Sequence, residues 1–172
     1  MRALSIAARI MGLGTIVLSV PLHAQQVMTK DQLVGTWHLV SFKSISGDQI
    51  SYPLGERPGG YVGFTGTRFW AMLVDETRKA PAAVLPSDAE AISLMRTHAA
   101  YTGKYDSNPA QTPAGIKVTI HVDAASNQAI TATDRTFFMR VDGNKLTIET
   151  STAVNAITGV TALANLEFVK AD

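Results

Sequence analysis

The chain has no cysteine. No disulfide can staple it, and a lipid-modified N-terminal cysteine is excluded. An exported protein of this composition must be held by its apolar core alone. Also missing is any excess of basic charge: 15 Lys and Arg stand against 14 Asp and Glu, with no basic block or stripe, which argues against a nucleic-acid partner. There is no Gly-rich phosphate-cradling loop, no Gly-x-Ser-x-Gly elbow and no pair of histidines at i and i+4. The spacing of His38, His98 and His121 matches no metal motif, so neither a metal nor a cofactor is expected. No internal repeat or low-complexity segment interrupts the chain.

What is present begins with a leader. Arg2 and Arg9 give a positive start, Ile10 to Val20 is an uncharged apolar run, and Pro21-Leu22-His23-Ala24 ends in a small residue. This is the layout of a secretory signal peptide, residues 1–24, with cleavage expected after Ala24. The run falls short of the ~20 apolar residues a spanning helix needs, so no membrane span is expected in the mature chain. Without its two leader arginines the chain keeps 13 basic and 14 acidic residues, a net charge of −1. The expected location is the periplasm or the exterior.

The rest, residues 31–170, reads as one domain of short strands. Asp31 is placed to cap a turn carrying Leu33 and Val34. Thr36 to Lys43 alternates Trp37, Leu39 and Ser41 with His38, Val40 and Phe42, and both sets contain apolar groups. Ile50 to Leu54 is a brief strand. Tyr61 to Phe64 and Thr67 to Val74 form a hairpin in which Arg68, Trp70, Met72 and Val74 share one face and Phe69, Ala71 and Leu73 the other. Ser87 and Glu90 have capping-box spacing, and a helix is predicted from Asp88 to about Ala100. Period two then returns with Tyr101, Gly103 and Tyr105, and with Ile116, Val118, Ile120 and Val122. A polar loop carries Pro109 and Pro113, and Ala129 to Ala132 is read as a short strand. Asp142-Gly143 sits between the alternating runs Arg135 to Val141 and Lys145 to Thr150, a strong hairpin signal. Val160 to Val169 is the last strand. The fold class is therefore all-β: a closed antiparallel β-barrel of about eight to ten strands with one mid-chain α-helix, whose interior can hold one small ligand.

A resemblance sharpens this reading. Leu33-Val34-Gly35-Thr36-Trp37 looks like the mouth of a lipocalin-like barrel, where the indole plugs one end. Together with Tyr52-Pro53-Leu54-Gly55, Gly60-Tyr61, Tyr101-Thr102-Gly103-Lys104-Tyr105, the strand around His121, the Phe137 to Leu146 hairpin and the terminal Leu166-Glu167-Phe168, it makes the chain resemble the bacterial and fungal lipocalin-like domain proteins over Leu33 to Lys170. The resemblance implies a closed barrel with a lumen and no particular activity. In animal lipocalins an arginine packs across the first-strand Trp, and Arg68, Arg135 or Arg140 could do so for Trp37.

The expected partner is a small, largely apolar molecule, with Trp70, Met72, Tyr101, Tyr105, Phe137 and Met139 as pocket residues. Tyr61 and His121 would supply polar contacts. The alternative is a cofactor-free isomerase, cyclase or lyase in which Tyr101, Tyr105 or His121 acts as acid or base and Arg135 steadies an enolate or carboxylate. Each residue also has a plainer reading: the tyrosines as barrel wall, His121 as a solvated surface group, Trp70 and Met72 as ordinary core, and the arginines as outer-face residues or a partner for Glu167. A third possibility is a structural barrel with a filled lumen. Alternation alone leaves open which face of each strand points inward, and a slip of one residue exchanges every lumen residue for its neighbour.

Overall fold

A computed structural model describes residues 28–112, 114–155 and 157–171, apart from the side chains of 109–111. The expected leader, 1–24, and Pro113 lie outside these residues. Among the described residues ten strands and one α-helix follow in order. They are β1 (Gly35–Ser46), β2 (Gln49–Ser51), β3 (Pro58–Phe64), β4 (Arg68–Asp75), α1 (Asp88–Arg96), β5 (His98–Thr112), β6 (Gly115–Ala125), β7 (Asp134–Asp142), β8 (Lys145–Thr150), β9 (Ala153–Val154) and β10 (Thr161–Lys170). The strands β1, β3, β4, β5, β6, β7, β8 and β10 pair in that order, all antiparallel, and β10 pairs back onto β1. Eight strands thus close a barrel without a free edge. β2 extends β1 and β9 extends β10 as short flaps.

Alternation drives the wall inward on one phase. In β6 the side chains of Ile116, Val118, Ile120 and Val122 are buried while Lys117 and His121 face solvent. β1 departs from its expected phase. A β-bulge at Val40 lets Leu39 pair with Phe168 and Ser41 with Glu167. The extra residue turns Phe42 and Ser44 to the side occupied by Trp37 and Leu39. Trp37, Leu39 and Phe42, drawn from both apparent faces, make one inward face, broken at the exposed bulge residue Val40.

In β4 both alternating sets are apolar, so pattern could not choose between them. Register chooses: Val62 and Phe64 of β3 stand opposite Ala71 and Phe69 and share their burial, which puts Phe69, Ala71 and Leu73 inside. Trp70 then lies outside, and its indole covers Gly63, where any Cβ would collide with the ring.

The Ser87–Glu90 cap forms as expected, with the Ser87 N–H donating to Glu90 Oε2 at 2.8 Å. The helix stops at Arg96, short of the expected Ala100, because His98 to Ala100 pair with β4 as the start of β5. None of its residues is buried. The segment expected as a strand at Ala129 to Ala132 is instead a 3-10 turn, Gln128–Ile130, capped by the Asn127 side chain, which accepts from the Ala129 N–H at 3.0 Å. At the other end, a 3-10 turn, Lys30–Leu33, follows Thr29, whose N–H donates to Gln32 Oε1 at 2.8 Å. Asp31 lies within this turn and is not its cap.

Candidate functional site

Two ends of the barrel differ in chemistry. One is sealed. Trp37, 1 % exposed, fills it and donates from Nε1 to the Leu33 carbonyl at 2.8 Å. The cation over its ring is Lys170, with Nζ 4.3 Å from the ring centroid, and none of the three arginines considered from the sequence. Tyr105 belongs to this end. Its ring packs edge-on against Phe64 and its hydroxyl donates to the Thr65 carbonyl at 2.8 Å. That phenol is committed to holding a turn.

The opposite end leads into a cavity of about 340 Å³. Its wall is aliphatic and aromatic: Phe42 from β1, Phe69 and Leu73 from β4, Ile120 from β6, Phe137 and Met139 from β7, Ile148 from β8 and Phe168 from β10. Each strand delivers alternate residues to the lumen, so one phase per strand builds the whole lining. Met95 and Arg96, at the C-terminal end of α1, and Val154 of β9 border the mouth.

The lining also carries polar residues, among them His98, Ser126, Thr150 and Asn155, and two of them matter most for chemistry. Tyr101 of β5 and Arg135 of β7 both line the cavity. The Tyr101 ring stacks at a tilt on Phe69, with centroids 5.3 Å apart. Burial pushes its phenol up to about 12, and the nearby positive charge of Arg135 pulls the other way. The group therefore keeps its proton near neutral pH and can donate a hydrogen bond.

The other sequence candidates stand elsewhere. Tyr61, Trp70 and Met72 are 44 %, 38 % and 50 % exposed on the outer wall. There Tyr61 tilts against the His38 ring at 5.0 Å. The physical cause is the β3–β4 register described above. Phe137 and Met139 line the cavity, as does Arg135, which is in phase with them. Arg140 and Glu167 are exposed on the outside, so Glu167 is no partner for a lumen arginine. Arg68 also points outward, where its Nη2 lies 2.8 and 2.9 Å from the two carboxylate oxygens of Asp123. No local signal in β4 separates its two faces: Gly63 marks the side on which the Trp70 indole needs room only once the β3–β4 pairing sets the two opposite each other.

His121 is on the outer wall, between Asp134 of β7 at 2.7 Å (Nδ1) and Asp106 of β5 at 3.0 Å (Nε2). Both ring nitrogens can donate only when the imidazole is charged. The hydrogen bond to Asp134, then that to Asp106, raises its pKa above the ordinary value. The folded state thus holds this proton more tightly than the unfolded chain, whose histidine titrates near 6.5. The stabilisation is complete below that pH and is lost as pH rises through the raised pKa. Thermal melts across the neutral range should show the midpoint falling with pH, and His121→Gln should flatten this dependence. An unchanged slope in the variant would remove His121 as its source.

Among the described residues no group of His, Asp and Glu is arranged to hold a metal ion. No helix among them is long and apolar enough to cross a membrane. No protein of curated function and no solved structure gives a significant match to the chain. The sequence profile of the family described as a lipocalin-like domain matches residues 34–169, from the turn before β1 to the next-to-last residue of β10. With that match over most of its length and with its eight-stranded closed barrel, the chain belongs to the lipocalin-like domain family.

Proposed function

We propose that the protein is exported and that its barrel binds a small, largely apolar molecule in the lumen. The observation that carries this reading is the 340 Å³ cavity walled by Phe42, Phe69, Ile120, Phe137, Met139 and Phe168. Its size falls within the roughly 300–1,000 Å³ of small-molecule pockets. A void left unfilled among such side chains costs packing energy, which a ligand recovers. The plugged Trp37 end makes the α1 end the route of entry. The catalytic alternative has less behind it: Tyr105 is committed to Thr65 and His121 faces solvent, which leaves Tyr101 as the one of the three acid–base candidates in the lumen. Export is supported by the leader pattern in residues 1–24.

Binding is tested with the uncharged fluorophore N-phenyl-1-naphthylamine, whose emission rises in apolar surroundings. The protein should enhance it saturably. Ala164→Phe, which projects a ring into the cavity from β10, should weaken the probe by about tenfold or more while costing no more than the roughly 1–3 kcal/mol of an overpacked core, because it enters existing space. No enhancement by the parent protein, together with no molecule released on organic extraction before native mass spectrometry, would count against binding and for a filled barrel. Export predicts an intact mass that begins at Gln25 for protein recovered outside the cytoplasm, and a retained leader there would refute it.

A further inference from the structure

The lumen contains a positive charge without a counterion. Arg135 lines the cavity, and among the described residues it takes part in no ion pair or hydrogen bond. No Asp or Glu lines the cavity among those residues. Outside the described residues the sequence has a single acid, Asp172. Arg68, half-buried on the outer wall, is by contrast paired with both oxygens of Asp123. Arg135 is equally half-buried, so the apolar wall removes part of its hydration and no acid replaces it. Beside it, the hydroxyl of Tyr101 likewise has no hydrogen-bond partner among the described residues.

Both groups line the cavity, and the charge of Arg135 reaches the Tyr101 phenol. Arg135 is the second residue of β7 and Tyr101 the fourth of β5, both toward the open end. Phe137 and Met139 succeed Arg135 down the same face of β7, toward the Trp37 plug. A guanidinium offers a planar fork of donors that matches a carboxylate, and a phenol can add one more donor.

We propose that Arg135 and Tyr101 form an anion subsite, and that the ligand is an amphipathic monocarboxylate. Its head lies at this pair near the mouth and its apolar tail among Ile120, Phe137, Met139 and Phe168. The proposal rests on the binding function above and specifies its ligand class. If each non-hydrogen atom takes about 30 Å³, the share of a water molecule in the liquid, the cavity holds about eleven, which fits a medium-length chain.

The test is calorimetric titration near neutral pH with decanoic acid, 1-decanol and decylamine, which share a tail and differ in the head. Decanoate should bind about ten- to a hundredfold tighter than decanol, as expected for hydrogen bonds to a charged group, and decylamine should be the weakest. Arg135→Gln should bring the decanoate-to-decanol ratio close to one. Arg135→Lys should keep part of the preference, since it retains the charge without the fork. Tyr101→Phe should reduce the ratio by a smaller factor. Decanoate binding no tighter than decanol in the parent protein would overturn the anion subsite while leaving the apolar pocket standing. A ratio that survives Arg135→Gln would also overturn it. Binding of none of the three would overturn both the subsite and the binding function.

Discussion

Trp37→Ala should cost about 3–5 kcal/mol of folding stability, the range for removing a large aromatic side chain from a core. The indole is buried at the sealed end, so its removal leaves a cavity that the rigid strand ends around it cannot collapse into. The Leu33 carbonyl loses the Nε1–H that satisfies it. Lys170 loses the ring beneath its ammonium, though it retains its bond to the Val34 carbonyl at 2.7 Å. A graded series separates these contributions. Trp37→Phe keeps most of the packing and forfeits the N–H, for about 1–2 kcal/mol. Lys170→Met removes the cation–π contact, worth about 0.5–1 kcal/mol at a solvated site, together with the hydrogen bond to Val34, worth about 0.5–1.5 kcal/mol. Urea denaturation with a constant m-value reads all three. Against a total stability of about 5–15 kcal/mol the alanine variant loses a large fraction of its reserve. A loss below about 1.5 kcal/mol would mean that this end is soft and that the plug does not organise the barrel.

The Trp37 plug was legible because Gly-x-Trp before an alternating run is a local signal. Its cation was not, because Lys170 arrives from the far end of the chain through the β1–β10 pairing. The same division runs through the site. Phe137, Met139 and Arg135 share one phase of a hairpin marked by Asp142-Gly143, and that face points into the cavity. β6 alternates apolar with polar residues, so the two faces were separable in sequence, and the structure puts the apolar face inward and His121 outside. β4 offers no such contrast. Trp70 and Met72 are as apolar as Phe69 and Leu73, and only pairing with β3 and β5 decides between them. β1 fails differently: one bulged residue, Val40, shifts the phase halfway along, and strict period two cannot represent that. The unpaired state of Arg135 is also invisible to sequence, since it depends on where every acid of the chain ends up.

Gly60→Ala should destabilise the protein by roughly 3 kcal/mol or more, through backbone strain and enforced displacement together. Gly60 has φ +99°, a region that side-chain-bearing residues rarely adopt. A Cβ there would also stand 2.0 Å from the Met72 carbonyl oxygen and 3.0 Å from the Leu73 Cα. Both obstacles are backbone, so no side-chain rotation relieves them, and β3 would have to part from β4. Two neighbouring glycines calibrate the effect. At Gly59 the obstacle is the flexible carboxylate arm of exposed Glu76, and alanine should be tolerated. At Gly47, φ is +58° but nothing lies within 4 Å, so alanine should cost only the conformational strain of about 1–2 kcal/mol. The consequence at Gly60 reaches the lumen. Leu73, paired directly opposite, is 4 % exposed and lines the cavity. Displacing it moves part of the apolar wall, so Gly60→Ala should weaken the uncharged probe as well as lower the melting temperature. Gly47→Ala, in a turn remote from the lining, should lower stability without altering probe affinity. Equal effects of the two variants on the probe would show that the β3–β4 contact at Gly60 does not shape the cavity.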